Sequence, residues 1–217
     1  FLFIFVTMTA FAYMDRVLMN TLGQAIKVDL DLSDTQLGML GGLSIAVFYA
    51  LFALPSARLA ERYKRTYIVA AAVVIWSVMT TLCGVAQNFW QLLGARLGVG
   101  IGETGALATQ SLVSDMFPPN KRASALGILN LGVTIGLLFG AIASGLLVQT
   151  LGWRAAFFIL GLPGLLLALA IALTVEEPPR GFSDGGTADE TPPPFVSVLK
   201  LAFSKPSFVH ILIGATI

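Results

Sequence analysis

FLFIFVTMTAFAYMDRVLMNTL, Phe1 to Leu22, is an apolar run broken near its middle by one adjacent acid and base, Asp15 and Arg16. About 20 such residues in a helix cross the hydrocarbon of a bilayer. Each charge at a helix centre adds roughly 2.5–3.5 kcal/mol on insertion scales, so such side chains face a bundle interior or a watery cavity. A third charge at comparable depth, Glu103, lies in a second glycine-rich apolar run. Two carboxylates beside an arginine inside a membrane suit a device that moves protons or charged solutes across it.

The rest of the chain agrees with a membrane setting. Of its 217 residues, 56% are hydrophobic and 12% charged. Soluble domains carry about 25% charged residues. Mean hydropathy is +0.85. A net charge of +1 gives no ground for a nucleic-acid partner. The single cysteine, Cys83, excludes an intrachain disulfide and reads as a small buried residue. No cleavable signal peptide is visible, and both ends fall in apolar runs, so the chain reads as part of a longer polypeptide.

Six windows are long and apolar enough to span: 1–23, 36–57, 66–86, 90–115, 124–149 and 154–175. A seventh begins near Phe208. Backbone groups in lipid must be satisfied within the segment, so each window is expected to be a helix. None shows the alternation of a barrel strand. The expected fold is an all-α membrane protein.

Arg58, Arg62, Lys64 and Arg65 lie between spans 2 and 3, Lys121 and Arg122 between 4 and 5, and Arg180, Lys200 and Lys205 after span 6. The other side has Lys27 and Arg154, beside Asp29, Asp31 and Asp34. Nine bases against two place the first group of connections in the cytoplasm. Residues 1–175 form the expected six-helix bundle. Residues 176–206, with EEPPRG and a PPP run, read as a cytoplasmic linker whose FVSVLKLAF stretch (195–203) suits an interfacial helix or a loop. Residues 207–217 open the seventh span. Six helices, a long inner connection and a seventh helix are the layout of a protein built from two six-helix halves.

Ala57-Arg58-Leu59-Ala60-Glu61-Arg62-Tyr63-Lys64-Arg65-Thr66 resembles the Gly-x-Leu-Ala-Asp-Arg-x-Gly-Arg-Lys motif of the major facilitator superfamily, with its glycines replaced. The resemblance implies the N-terminal six-helix half of a twelve-helix fold, a missing C-terminal six-helix half as partner, and a monomer. It also implies a conformational latch at Glu61, Arg62 and Arg65. The bland alternative is a basic topology signal. Arg96-Leu97-Gly98-Val99-Gly100-Ile101-Gly102-Glu103 is similar to the superfamily's fourth-helix motif, and it assigns Arg96 to the same gating machinery. Arg96 and Glu103 are seven apart, hence on one helix face, with Arg96 expected to line the cavity. Gly132, Gly136, Gly140 and Gly145 recur on span 5, a packing stripe.

Tyr13-Met14-Asp15-Arg16, Val99-Gly100-Ile101-Gly102-Glu103, Ser114-Asp115-Met116-Phe117 and Glu177-Pro178-Pro179-Arg180-Gly181, in that order, resemble the Spinster family. That family implies proton-coupled carriage of small amphipathic anions such as lysophospholipid or sphingosine phosphate, by symport or antiport, with no cofactor. In the superfamily fold spans 1 and 4 face the central cavity, so Arg16 is expected to pair with Glu103. Neighbouring side chains diverge by about 100°, which leaves Asp15 free to titrate as the first proton-coupling candidate, with Glu103 second. Arg16 suits an anionic head group. Tyr49, Gln110, Asn130 and Thr134 could line the cavity, and Tyr49, Asn130 and Thr134 are kept as substrate-contact candidates, although a helix–helix hydrogen bond explains each of them better.

Two other readings remain open. A small organic-anion carrier of the same superfamily would use the same arginine. A non-transporting scaffold or signalling protein would keep the charges for structure alone. No His-Glu-x-x-His or Gly-x-Ser-x-Gly pattern and no phosphate-binding loop occurs, so an enzyme or a nucleotide-driven pump is not expected. The expected location is a membrane crossed several times, the inner membrane in a bacterium.

Overall fold

The computed structural model describes residues 1–179 and 203–205. The interfacial stretch at 195–203 and the seventh span from 207 lie almost wholly outside these residues. Every regular element described is helical: α1 (Leu2–Asp29), α2 (Asp34–Gly38), a π-turn (Met39–Leu43), α3 (Ser44–Arg62), α4 (Arg65–Cys83), α5 (Phe89–Glu103), α6 (Gly105–Met116), α7 (Pro119–Thr150) and α8 (Gly152–Thr174). The second window is thus α2, the π-turn and α3 run together. Ser33 opens it with a capping box, accepting from the Gln36 amide while the Gln36 side chain accepts from the Ser33 amide.

Five stretches are singly long and apolar enough to cross a membrane: Leu2–Asp29, Asp34–Arg62, Arg65–Cys83, Pro119–Leu147 and Gly152–Thr174. The fourth window differs from the continuous helix expected of it. It breaks at Thr104 into α5 and α6, 15 and 12 residues long. The Thr104 hydroxyl donates to the Ile101 carbonyl at 2.7 Å, a local bond that competes with the helical ladder. The surrounding glycines, 98, 100, 102 and 105, already weaken that ladder.

Small residues bring the helices together. α1 packs along α7, and α4 packs against both α5 and α8. A Cβ added at Gly132 would lie 2.5 Å from the Val6 carbonyl oxygen and 2.8 Å from Thr9 Cβ, so α1 and α7 touch backbone to backbone there. At Gly102 it would lie 2.6 Å from the Trp76 amide. Gly145 has nothing within 4 Å, so the stripe read from the sequence serves packing only along part of its length.

Two apolar clusters fill the interior. One contains Phe5, Val69, Val99, Leu112, Leu129 and Ile171. The other contains Leu18, Leu22, Ile26, Leu92, Phe157 and Leu160. In α1, α4 and α5 the two clusters flank a polar layer at Asp15, Thr80 and Arg96. Outward faces carry Leu131, Leu138, Leu166, Leu169 and Leu173 exposed, as a hydrocarbon solvent permits. At the end carrying the α1–α2 and α7–α8 connections, Lys27 pairs with Asp34 and Arg154 with Asp29, the latter at 2.5 Å. Both bases on this sparsely charged side are therefore neutralised.

Candidate functional site

Asp15 and Arg16 leave α1 in different directions, as their 100° separation requires. Arg16 points into a pocket of about 170 Å³ whose walls include Tyr13, Tyr49, Trp76, Glu103 and Gln110. Its guanidinium grips Glu103 bidentately, through Nε to Oε1 at 3.1 Å and Nη2 to Oε2. The Tyr13 ring lies against the guanidinium, 4.9 Å from centroid to Cζ. The Glu103 side chain is 3% exposed and that of Arg16 42%. The pair expected between Arg16 and Glu103 is present, and it has a buried acid and an accessible base.

Asp15 is not free, contrary to the expectation from the sequence. It is fully buried, accepting from Arg96 Nη1 at 2.7 Å and from the Thr80 hydroxyl at 3.2 Å. Arg96 is fully buried too, so it lines no cavity. The reason is geometric. Residues 96 and 103 are about two turns apart on α5, and Asp15 lies nearer Arg96 while Arg16 reaches Glu103. Two separate pairs result. Nε and Nη2 of Arg96 have no hydrogen-bond partner among the described residues.

A third cluster gathers at the basic end of the bundle. Arg65, 4% exposed, opens α4 and donates to Asp115 at 2.5 Å and Ser111 at 3.0 Å on α6. It also donates to Glu177 at 3.0 Å and to the Pro178 carbonyl at 3.3 Å beyond α8. The second Glu177 oxygen accepts from the Thr66 amide at 3.0 Å. Burial pushes the Glu177 carboxyl up, but the backbone donors at Thr66 and Arg65 and the Arg65 guanidinium outweigh it and hold it below its ordinary range.

Of the expected latch residues, Arg65 is therefore at a junction of three elements. Glu61 pairs with Arg58 at 3.0 Å on its own helix, and Arg62 is exposed. Tyr49 joins the Arg16 pocket, whereas Asn130 and Thr134 lie on the exposed face of α7 and do not line it. Sequence reasoning assigned no role to Asp115, Glu177, Thr80 or Tyr13. Asp115, Glu177 and Tyr13 stood inside quoted motifs, and for the two acids a carboxylate at the edge of an apolar span was the available signal.

The model of the family described as Major Facilitator Superfamily matches residues 4–217. The chain belongs to the major facilitator superfamily. An "MFS-type efflux pump" of Mycolicibacterium smegmatis is 34% identical over 93% of this chain and 46% of its own length. "Protein spinster homolog 1" of Mus musculus is 29% identical over 94% of this chain and 40% of its own length. A crystal structure described as a bacterial homolog to the human lysosomal transporter Spinster, inward-facing and unoccupied, superposes with a TM-score of 0.79 at 34% identity. That match covers 99% of this chain and 50% of the other. The chain therefore spans about half the length of the relatives it matches. It has the fold of half a major facilitator protein and is Spinster-like, an integral membrane protein that crosses the bilayer several times.

Proposed function

We propose that the chain is half of a proton-coupled secondary transporter working by alternating access, with lipid-like anionic substrates such as lysophospholipid or sphingosine phosphate. The observation that carries this reading is the bidentate Arg16–Glu103 pair in the wall of a membrane-depth pocket. An incoming phosphate competes with Glu103 for the Arg16 fork, since guanidinium recognises both groups bidentately. A Glu103 carboxylate that loses its guanidinium beside Trp76 is left in a poorly solvated place and takes up a proton. Anion and proton then bind together and leave together. In this scheme Glu103 becomes the first coupling acid. Asp15, held by Arg96 and Thr80, is the second.

Tyr49 flanks the anion, and Asn130 and Thr134 await a substrate that reaches the exposed face of α7. Arg65 with Asp115 and Glu177 would hold the basic end shut, with Glu61 and Arg62 close in sequence to it and the buried Arg96 setting the helix positions at mid-depth. The proposed location is the cell membrane, basic end inward.

The test uses the full-length protein in proteoliposomes with an imposed pH gradient and a labelled lysophospholipid. Glu103→Gln should abolish gradient-driven accumulation while leaving the protein folded. Normal accumulation by that variant would overturn the coupling assignment. A small organic anion is the second reading, since its carboxylate would engage the same Arg16 fork. Movement of such an anion, with none of lysophospholipid, would select it.

A further inference from the structure

A larger cleft, about 560 Å³, lies at the basic end between the start of α4 and the end of α8, away from the Arg16 pocket. Arg62 and Lys64 supply two bases to its wall, and Lys64 Nζ sits 5.7 Å over the Tyr67 ring. The Tyr63 and Tyr67 side chains are exposed, at the level where the spans end. Thr66, also in the wall, is buried, and its hydroxyl has no hydrogen-bond partner among the described residues. Of the acids present, Glu177 is committed to Arg65 and to the Thr66 amide, and Glu176 is exposed.

We propose that this cleft binds the phosphate head group of an anionic glycerophospholipid from the leaflet bordering the basic end. Basic pockets between membrane helices at this level bind anionic head groups, and tyrosines are enriched at the same depth. A buried hydroxyl with no partner is costly, and rotation of the Thr66 side chain about χ1 would let it donate to a phosphate oxygen in the cleft. Ala172 and Val175, also in the wall, give the cleft an apolar side for an acyl chain. Because Thr66 also holds Glu177, an occupied cleft braces the Arg65 junction from its outer side.

The test is native mass spectrometry of the full-length protein, delipidated and then offered phosphatidylglycerol and phosphatidylcholine in equal amounts. Wild type should retain phosphatidylglycerol preferentially, and added salt should erode that preference. Lys64→Gln should weaken retention roughly fivefold, and Arg62→Gln with Lys64→Gln by about the square of that factor. Equal retention of the two lipids by wild type would overturn the proposal without any variant being needed. So would an unchanged preference in the double variant. Complete displacement by excess inorganic phosphate would assign the cleft to a soluble phosphate and overturn the lipid source.

Discussion

Arg96 donates to Asp15 at 2.7 Å with both side chains entirely withdrawn from solvent, between two apolar clusters. Thr80 fills the second oxygen of the acid. α1, α4 and α5 are therefore tied at mid-depth by one neutral unit, 65 to 81 residues apart in sequence. Burying two ions costs several kcal/mol each, and their attraction offsets this only while both are present. The pair consequently sets which faces of three helices meet, rather than adding much net stability.

Arg96→Met should for that reason be severe alone, destabilising by about 3–5 kcal/mol through a stranded Asp15. Adding Asp15→Leu should restore much of the loss. Thermal unfolding of the two single variants and the double variant in detergent measures the coupling. Additive single effects would show that the pair does not act as a unit.

Arg16→Lys tests the substrate side of the other pair. Lysine keeps the charge and loses the fork that spans both Glu103 oxygens. Losing a charge-assisted hydrogen bond is worth about 1.5–3 kcal/mol, so half-saturation by the transported anion should rise roughly 10–100-fold. Concentration dependence of uptake provides the readout. An unchanged half-saturation would remove Arg16 from the binding site.

The extent to which these features were legible follows from what each depends on. Span positions rest on composition over about 20 residues, a local property, and all six windows contain helix. The meeting of Arg16 with Glu103 followed from depth and from the cost of an unpaired charge. The meeting of Asp15 with Arg96 did not, because it depends on the rotation of α5 about its axis, which the contacts of Gly98 with Met79 and of Gly102 with Trp76 settle. Seven-residue spacing pointed to one face of α5 and could not say that its two charges would find different partners. The Arg65 junction was hidden for a similar reason. Its acids come from the ends of two other spans, 50 and 112 residues onward.

Glycine substitutions on α7 separate packing from sequence pattern. Gly132→Ala places a methyl 2.5 Å from the Val6 carbonyl oxygen, which α1 cannot yield without moving its backbone. Gly145→Ala meets nothing within 4 Å and gains helix propensity of up to about 1 kcal/mol. Thermal stability should therefore fall in the first variant and hold or rise in the second. Equal losses would contradict the α1–α7 contact.

Acid should loosen the Arg65 junction in a defined direction. Burial raises the Glu177 carboxyl, but the donors at Thr66 and Arg65 and the Arg65 charge more than reverse this, so its folded value lies below the ordinary 4.5. A group so depressed contributes stability that is fully present above its unfolded value and is lost as pH falls through the folded one. The contribution of Glu177 should thus be complete at neutral pH, begin to fall below about pH 4.5 and be gone once the pH lies under the folded value. Glu177→Gln should be less stable than wild type at pH 7, with the two curves converging in acid. The gap should be modest, since the Glu177 side chain is 17% exposed and partly screened. A gap that stays constant from pH 7 to the acid limit would mean that shape, and not charge, holds the segment after α8 against α4.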